Sequence, residues 1–234
     1  AYWVGISGYK IFSHRSIDDI ATIFQGMITG DNKKFVRSWF EVNSSKINLN
    51  LETFEDADFL DKYWVGYSKG GESVKWYGNQ EHIVNFRNRG KDFTRGKSQF
   101  SEFYFKEYVT WSYISLSLVS RYFPPGYIWD VAGSGLFLND NSQIKFITSL
   151  LSSKVGNYIL GILNPTLNYQ VENIASVPVV LPDDEKLKSI NDLAAECISV
   201  SKNVYDGNEI SPNFQKLNFI VNSNNLRNEI TIKK

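Results

Sequence analysis

The chain has 234 residues, 42% hydrophobic and 21% charged, which is globular usage and enough length for one large or two small cores. No apolar run approaches the roughly 20 residues of a membrane-spanning helix. The single cysteine, Cys197, can form no internal disulfide, and the start Ala-Tyr-Trp-Val-Gly has no secretory-signal pattern, so a soluble cytoplasmic protein with no membrane partner is expected. A formal net charge of zero argues against an indiscriminate nucleic-acid binder, yet the zero is a sum of unlike segments. Residues 51–68 hold five acids and one base, whereas residues 69–121 hold nine bases and five acids.

In chain order, Ser16 and the acids Asp18 and Asp19 precede apolar residues at three- and four-residue spacing, which predicts a short helix over 17–24 that ends at Gln25-Gly26. Aromatic and β-branched runs at 35–42, 63–67 and 108–118 read as strands, the last from its alternation of Ile114, Leu116 and Leu118 with serines. Between them, residues 68–107 are rich in Gly, Asn, Lys, Arg and Ser with weak periodicity, the signature of long loops with short strands. A single helix is expected over 142–163, where Ile144, Ile147, Leu151, Val155, Ile159 and Ile162 share a stripe before Asn164-Pro165. A second helix runs from Asp183-Asp184-Glu185 to Tyr205, with Leu187, Ile190, Ala194 and Cys197 along one side. The fold class expected is α+β, with mixed, largely antiparallel strands packed by two long helices and a long basic loop region.

Three stretches carry a family resemblance. Residues 24–35 read Phe-Gln-Gly-Met-Ile-Thr-Gly-Asp-Asn-Lys-Lys-Phe, similar to a Gly-x-x-Thr-Gly-x-Asn-x-x-Phe motif; residues 69–79 and 105–112 contain Lys-Trp-Tyr-Gly-Asn and Tyr-Val-Thr-Trp-Ser; and Asn164-Pro165 through Val179 precedes the second helix. Together they resemble the C-terminal specificity region of the PglX adenine methyltransferases of BREX phage-defence systems, and more distantly TaqI-like and type IIG restriction-modification enzymes. Tyr108-Val109 stands where the family pattern has Gly-Ile.

That resemblance implies a target-recognition domain over 1–182 with DNA-facing loops at 25–37 and 68–112, a closing amphipathic helix at 183–206, and a linker or the start of a further element at 207–234. It implies sequence-specific binding of double-stranded DNA, to position an adenine for an upstream methyltransferase domain of the same parent. S-adenosylmethionine would serve that parent and no cofactor this chain, which would be non-catalytic alone. The abrupt start and the ending Ile-Thr-Ile-Lys-Lys likewise suggest a piece of something longer.

Readers of duplex DNA need cations for phosphates and amide or hydroxyl donors for base edges. The candidate contacts are Thr29, Gly30, Asn32, Lys33 and Lys34 in the first loop, then Lys69, Lys75, Asn79, Arg87, Arg89, Lys91, Arg95 and Lys97, and finally Thr110, Ser112 and Ser134. Gly26, Gly30, Gly70 and Gly71 would allow positive φ or close approach of backbone to a phosphate. The bland alternative is a solvated charged face with ordinary turns, and Trp76, Tyr77 and Trp111 suit a core better than a base stack.

Two rival functions remain open. The basic loops could meet an acidic partner, either other BREX subunits or a DNA-mimicking phage inhibitor. Residues 127–138, with Gly133-Ser134-Gly135, superficially resemble a methyl-donor loop, which would make this a small complete methyltransferase; the intervals to an acid and to an Asn-Pro segment do not fit. His14 and His82 have no metal-spaced companions, and the acids Glu52, Glu55, Asp56, Asp58 and Asp61 read as a solvated face.

Overall fold

A computed structural model describes residues 10–55, 60–96 and 98–216. The fold is α+β: among the described residues nine short strands form two sheets, and helices cover the outer face of one of them. In the first sheet the order is β2 (Val36–Ser38), β5 (His82–Asn85), β4 (Trp64–Ser68), β3 (Ile47–Asn48). β3 pairs in parallel with the first half of β4, and β8 (Tyr127–Trp129) pairs in parallel with its second half. The second sheet is wholly antiparallel, in the order β1 (Ala21–Phe24), β9 (Gly135–Leu138), β6 (Tyr108–Trp111), β7 (Ser120–Phe123).

Strand alternation builds two cores from this second sheet. Phe24, Tyr108, Phe123 and Phe137 point into one apolar cluster with Tyr67, Val84, Tyr127 and Trp129 of the first sheet. Their neighbours Val109, Trp111 and Leu136 point the other way, onto Ile144, Ile147, Leu151, Ile159 and Leu160. The result is sheet on sheet on helix. Polar pins hold the layers in register: Trp111 Nε1 donates to the Tyr169 carbonyl at 2.9 Å, and the Ser120 hydroxyl donates to the Thr148 carbonyl at 2.8 Å.

The helices are α1 (Asn32–Phe35), α2 (Ile144–Leu151), α3 (Lys154–Leu163), α4 (Val171–Ala175) and α5 (Asp184–Asp206). α5 is the second helix expected from the sequence, and Asp183 caps it by accepting from the Lys186 amide at 2.9 Å. Among the described residues no single helix is long and apolar enough to cross a membrane.

Four sequence expectations are corrected. The predicted 17–24 helix is a 3-10 turn, Ile17–Asp19, followed by β1. Ser16 does begin it, with its amide donating to Asp19 Oδ2 at 2.7 Å, but Thr22 and Ile23 are β-branched and the open edge of β9 takes them as a strand. The expected strand over 35–42 is only three residues long. Asp31 caps the one-turn α1 before it and a 3-10 turn, Trp39–Glu41, follows it.

The alternating 108–118 run leaves the sheet at Trp111, because its partner β7 begins at Ser120, opposite Trp111; Ile114 instead forms an isolated antiparallel bridge with Asn168. Residues beyond are the connection between these strands, so Ile114 and Leu116 are 67% and 91% exposed despite their strand-like spacing. The single 142–163 helix is two helices bent by 74° at Ser152-Ser153. Ser153 caps the second by accepting from the Gly156 amide at 2.9 Å, a local bond that competes with continuing the first.

Candidate nucleic-acid interface

The segment after β1 crosses from one end of the first sheet to the other. Met27 pairs with Asp130 beyond β8, Ile28 pairs antiparallel with Arg95, and α1 leads into β2 beside β5. The Ile28–Arg95 bridge has both backbone hydrogen bonds at 3.0 Å, and Thr94 N–H donates to the Thr29 carbonyl at 3.4 Å. This zip joins two segments that lie about sixty residues apart in sequence, and glycine is required at its turn. Gly30 has φ +80°, and a Cβ there would stand 2.0 Å from Thr94 Oγ1.

Around the zip the structure gathers six of the candidate cations. Lys33 and Lys34 lie on α1; Arg87, Arg89 and Lys91 follow β5; Arg95 closes the loop; all six are exposed. An aromatic floor made by Phe35, Phe86 and Phe93 supports them, with ring centroids 5.1 and 6.0 Å apart for Phe35–Phe93 and Phe86–Phe93. The Arg87 guanidinium lies 3.9 Å above the Tyr63 ring and that of Arg89 4.9 Å from Phe54. Lys33, Lys34, Arg87, Lys91 and Arg95 form no ion pair with any described residue. Asp92, the acid inside the loop, is engaged by Asn88 instead, which donates to it at 2.5 Å. The edge is therefore a cluster of exposed cations on an aromatic base, five of them without an ion pair among the described residues. Lys97 lies outside the described residues, as do Asp56 and Asp58.

A second group follows the C-terminal end of β4, whereas Arg87 sits over Tyr63 before the start of that strand. Lys69 is bonded to Asp130 at 3.0 Å, and Asp130 also accepts from the Tyr67 hydroxyl at 2.7 Å and caps the Ala132 amide at 3.0 Å. Against Asp130 and under heavy burial, the Tyr67 phenol stays protonated far beyond its ordinary range. Lys75 is exposed, 5.2 Å from the Trp76 ring.

The hydroxyl and amide candidates are turned inward. Thr110 donates to the Ser134 carbonyl at 2.9 Å, Ser134 to the Val131 carbonyl at 3.3 Å, Ser112 to the Glu72 carbonyl at 3.0 Å and Asn79 Nδ2 to the same carbonyl at 2.9 Å. Thr29 donates to Asn32 Oδ1 at 2.7 Å. All but Asn32 are buried, so in this conformation they shape loops and present no donor to solvent. Gly26 likewise approaches protein and not an outside group, since a Cβ there would meet the Trp129 carbonyl at 2.0 Å.

No protein-family model matches the chain. Two curated proteins do. Over 227 residues it is 30% identical to the adenine-specific methyltransferase PglX of Lacticaseibacillus casei (strain Zhang), covering 92% of this chain and 18% of that protein. Over 233 residues it is 31% identical to the adenine-specific methyltransferase BrxX of Escherichia coli O9:H4 (strain HS), covering 97% of this chain and 18% of that protein. The chain is related to adenine-specific methyltransferases. It spans less than a fifth of the length of these relatives.

The Gly133-Ser134-Gly135 turn does not fit a methyl donor. A donor-binding glycine turn runs from a strand into a helix whose amides face the ligand. Here the turn runs from β8 straight into β9, and Cβ atoms at Gly133 and Gly135 would meet the Ser68 carbonyl at 2.7 Å and the Phe137 ring at 2.6 Å. Protein already fills that space. Sequence reasoning missed Asp130 and Tyr67 as the anchors of Lys69, and it missed Arg121, a buried arginine that donates to Ser112. The one visible signal was a charged residue inside the aromatic strand Ser-Arg-Tyr-Phe.

Proposed function

We propose that this chain is the target-recognition region of an adenine-N6 DNA methyltransferase of the BREX phage-defence type. It binds duplex DNA and presents an adenine to a methyltransferase domain carried elsewhere in the same polypeptide, where S-adenosylmethionine is held. One observation carries this reading: the Ile28–Arg95 zip collects Lys33, Lys34, Arg87, Arg89, Lys91 and Arg95 along one edge with no carboxylate spent on five of them. Such an edge follows phosphates, and relatives named as adenine-specific methyltransferases supply the chemistry it would serve.

The test is reversal of Arg87, Arg89 and Lys91 to glutamate in the full-length polypeptide, with duplex affinity measured over a salt series. Each lost phosphate contact lowers the logarithmic salt slope by about 0.9, so the triple change lowers it by about 2.7 and weakens binding for every sequence. An unchanged slope with unchanged methylation overturns the assignment.

A second reading, docking of other defence subunits or of an acidic DNA mimic, is favoured by the outer face of α5. Leu193, Val200 and Val204 are 63%, 58% and 71% exposed there at helical spacing. Apolar docking would be insensitive to the same salt series, which separates the two.

A further inference from the structure

β7 carries an arginine in the dry interior. Arg121 is 0% exposed, on the edge strand of the four-stranded sheet. Its Nη1 donates to Ser112 Oγ at 3.1 Å and to the Val74 carbonyl at 3.3 Å. Nε and Nη2 have no hydrogen-bond partner among the described residues, and the side chain forms no ion pair with any of them. Burial pulls its pKa down to about 10, with Tyr108 and Glu81 opposing, so the group is still a cation at neutral pH. A buried guanidinium with Nε and Nη2 left unpaired is costly, and an added acceptor would relieve that cost.

The unused atoms have a defined shape. Nε–H and one Nη2–H point in parallel from the same side of the guanidinium, the fork that grips two acceptors at once. DNA offers two such pairs: the oxygens of a phosphate, and O6 with N7 of guanine in the major groove.

Val74, whose carbonyl accepts from Arg121, belongs to a short surface flap, residues 70–75. Upstream it is pinned by Lys69 on Asp130, and downstream by Trp76, whose amide donates to the Ser120 carbonyl at 3.1 Å and whose carbonyl accepts from the Tyr122 amide at 3.0 Å. Gly70 and Gly71 at its start have φ +84° and +107°. Glu72, Ser73 and Lys75 are exposed, and the flap is tied down by neutral hydrogen bonds such as Ser73 Oγ to Ser115 Oγ at 2.9 Å.

We propose that Arg121 is a DNA-contacting residue of the recognition surface, held under the 70–75 flap and uncovered when duplex binds. Resting on the target-recognition reading, this adds a specificity determinant that acts only in the open conformation. The flap gives up neutral bonds and the Arg121 bond to the Val74 carbonyl, and the bidentate contact replaces them.

The experiment staples the flap shut. Ser73→Cys with Ser115→Cys places two thiols where the hydroxyls now touch, and oxidation joins them while reductant frees them. The full-length polypeptide is assayed against a pool of duplexes randomised over a central window, with each single-cysteine variant as control and the bound fraction sequenced. Reduced protein enriches a site, oxidised protein loses about tenfold or more in affinity, and reductant restores it. Arg121→Lys keeps the charge and loses the fork. A relaxed preference at one G·C pair then identifies a guanine contact, and uniform weakening identifies a phosphate contact. Equal binding by stapled and reduced protein overturns the proposal, and the staple alone decides if the lysine variant does not fold. Failure of the reduced protein to bind any duplex overturns the recognition reading itself and this proposal with it.

Discussion

Replacing Gly30 by alanine tests whether the two segments of the zip are joined as the structure has them. At φ +80° an alanine costs about 1–2 kcal/mol in backbone strain alone. Its Cβ also arrives 2.0 Å from Thr94 Oγ1, which forces that hydroxyl out of its rotamer for about 1 kcal/mol more. The sum of about 2–3 kcal/mol corresponds, for a chain of this size, to a melting temperature lowered by about 5–10 °C. Thr94→Ala in the same chain removes the Oγ1 clash, leaves the φ penalty, and so returns only about 1 kcal/mol. Calorimetry of the four proteins in this cycle separates the two contributions. Because the Ile28–Arg95 bridge positions the 87–95 loop, the alanine variant also binds duplex more weakly without changing its site preference. Melting of Gly30→Ala at the parent temperature, or full rescue by Thr94→Ala, would refute both the left-handed turn and the zip built on it.

Two further predictions concern side-chain bonds that hold neighbouring segments in place. Asp130→Asn leaves Lys69 and the Tyr67 hydroxyl without their anion and is expected to cost about 2–4 kcal/mol in urea unfolding; a loss under about 1 kcal/mol would show that the Lys69–Asp130 bond is idle. Tyr205→Phe removes the hydroxyl that accepts from the Gln80 amide at 2.9 Å and donates to Glu81 at 3.3 Å. Hydrogen exchange at Gln80 should accelerate by about tenfold while the centre of α5 stays protected, and unchanged exchange would mean that α5 does not brace the 77–81 loop.

Much of the architecture is legible along the chain because its causes are local. An aspartate followed by acids and a 3.6-residue stripe specifies α5 wherever it docks, and Tyr63–Tyr67 has few alternatives to the strand β4. The same holds for the exposed cations of 87–95: charged side chains in a polar loop stay in water, so their exposure follows from composition. Local rules also misled where a partner had the last word. Ile114, Leu116 and Leu118 alternate like a strand, yet beyond Trp111 the run meets only an isolated bridge from Ile114 to Asn168, and Ser153 ends a helix that periodicity alone would continue.

Tertiary structure alone decided which hydroxyls and amides face the solvent. Ser112 and Ser134 have no feature in the sequence that distinguishes them from Asn32 or Ser73, yet they lie inside while those lie outside. A hydroxyl or guanidinium is buried when a strand from elsewhere in the chain stacks over it, and that depends on contacts tens of residues apart, beyond the reach of any local pattern.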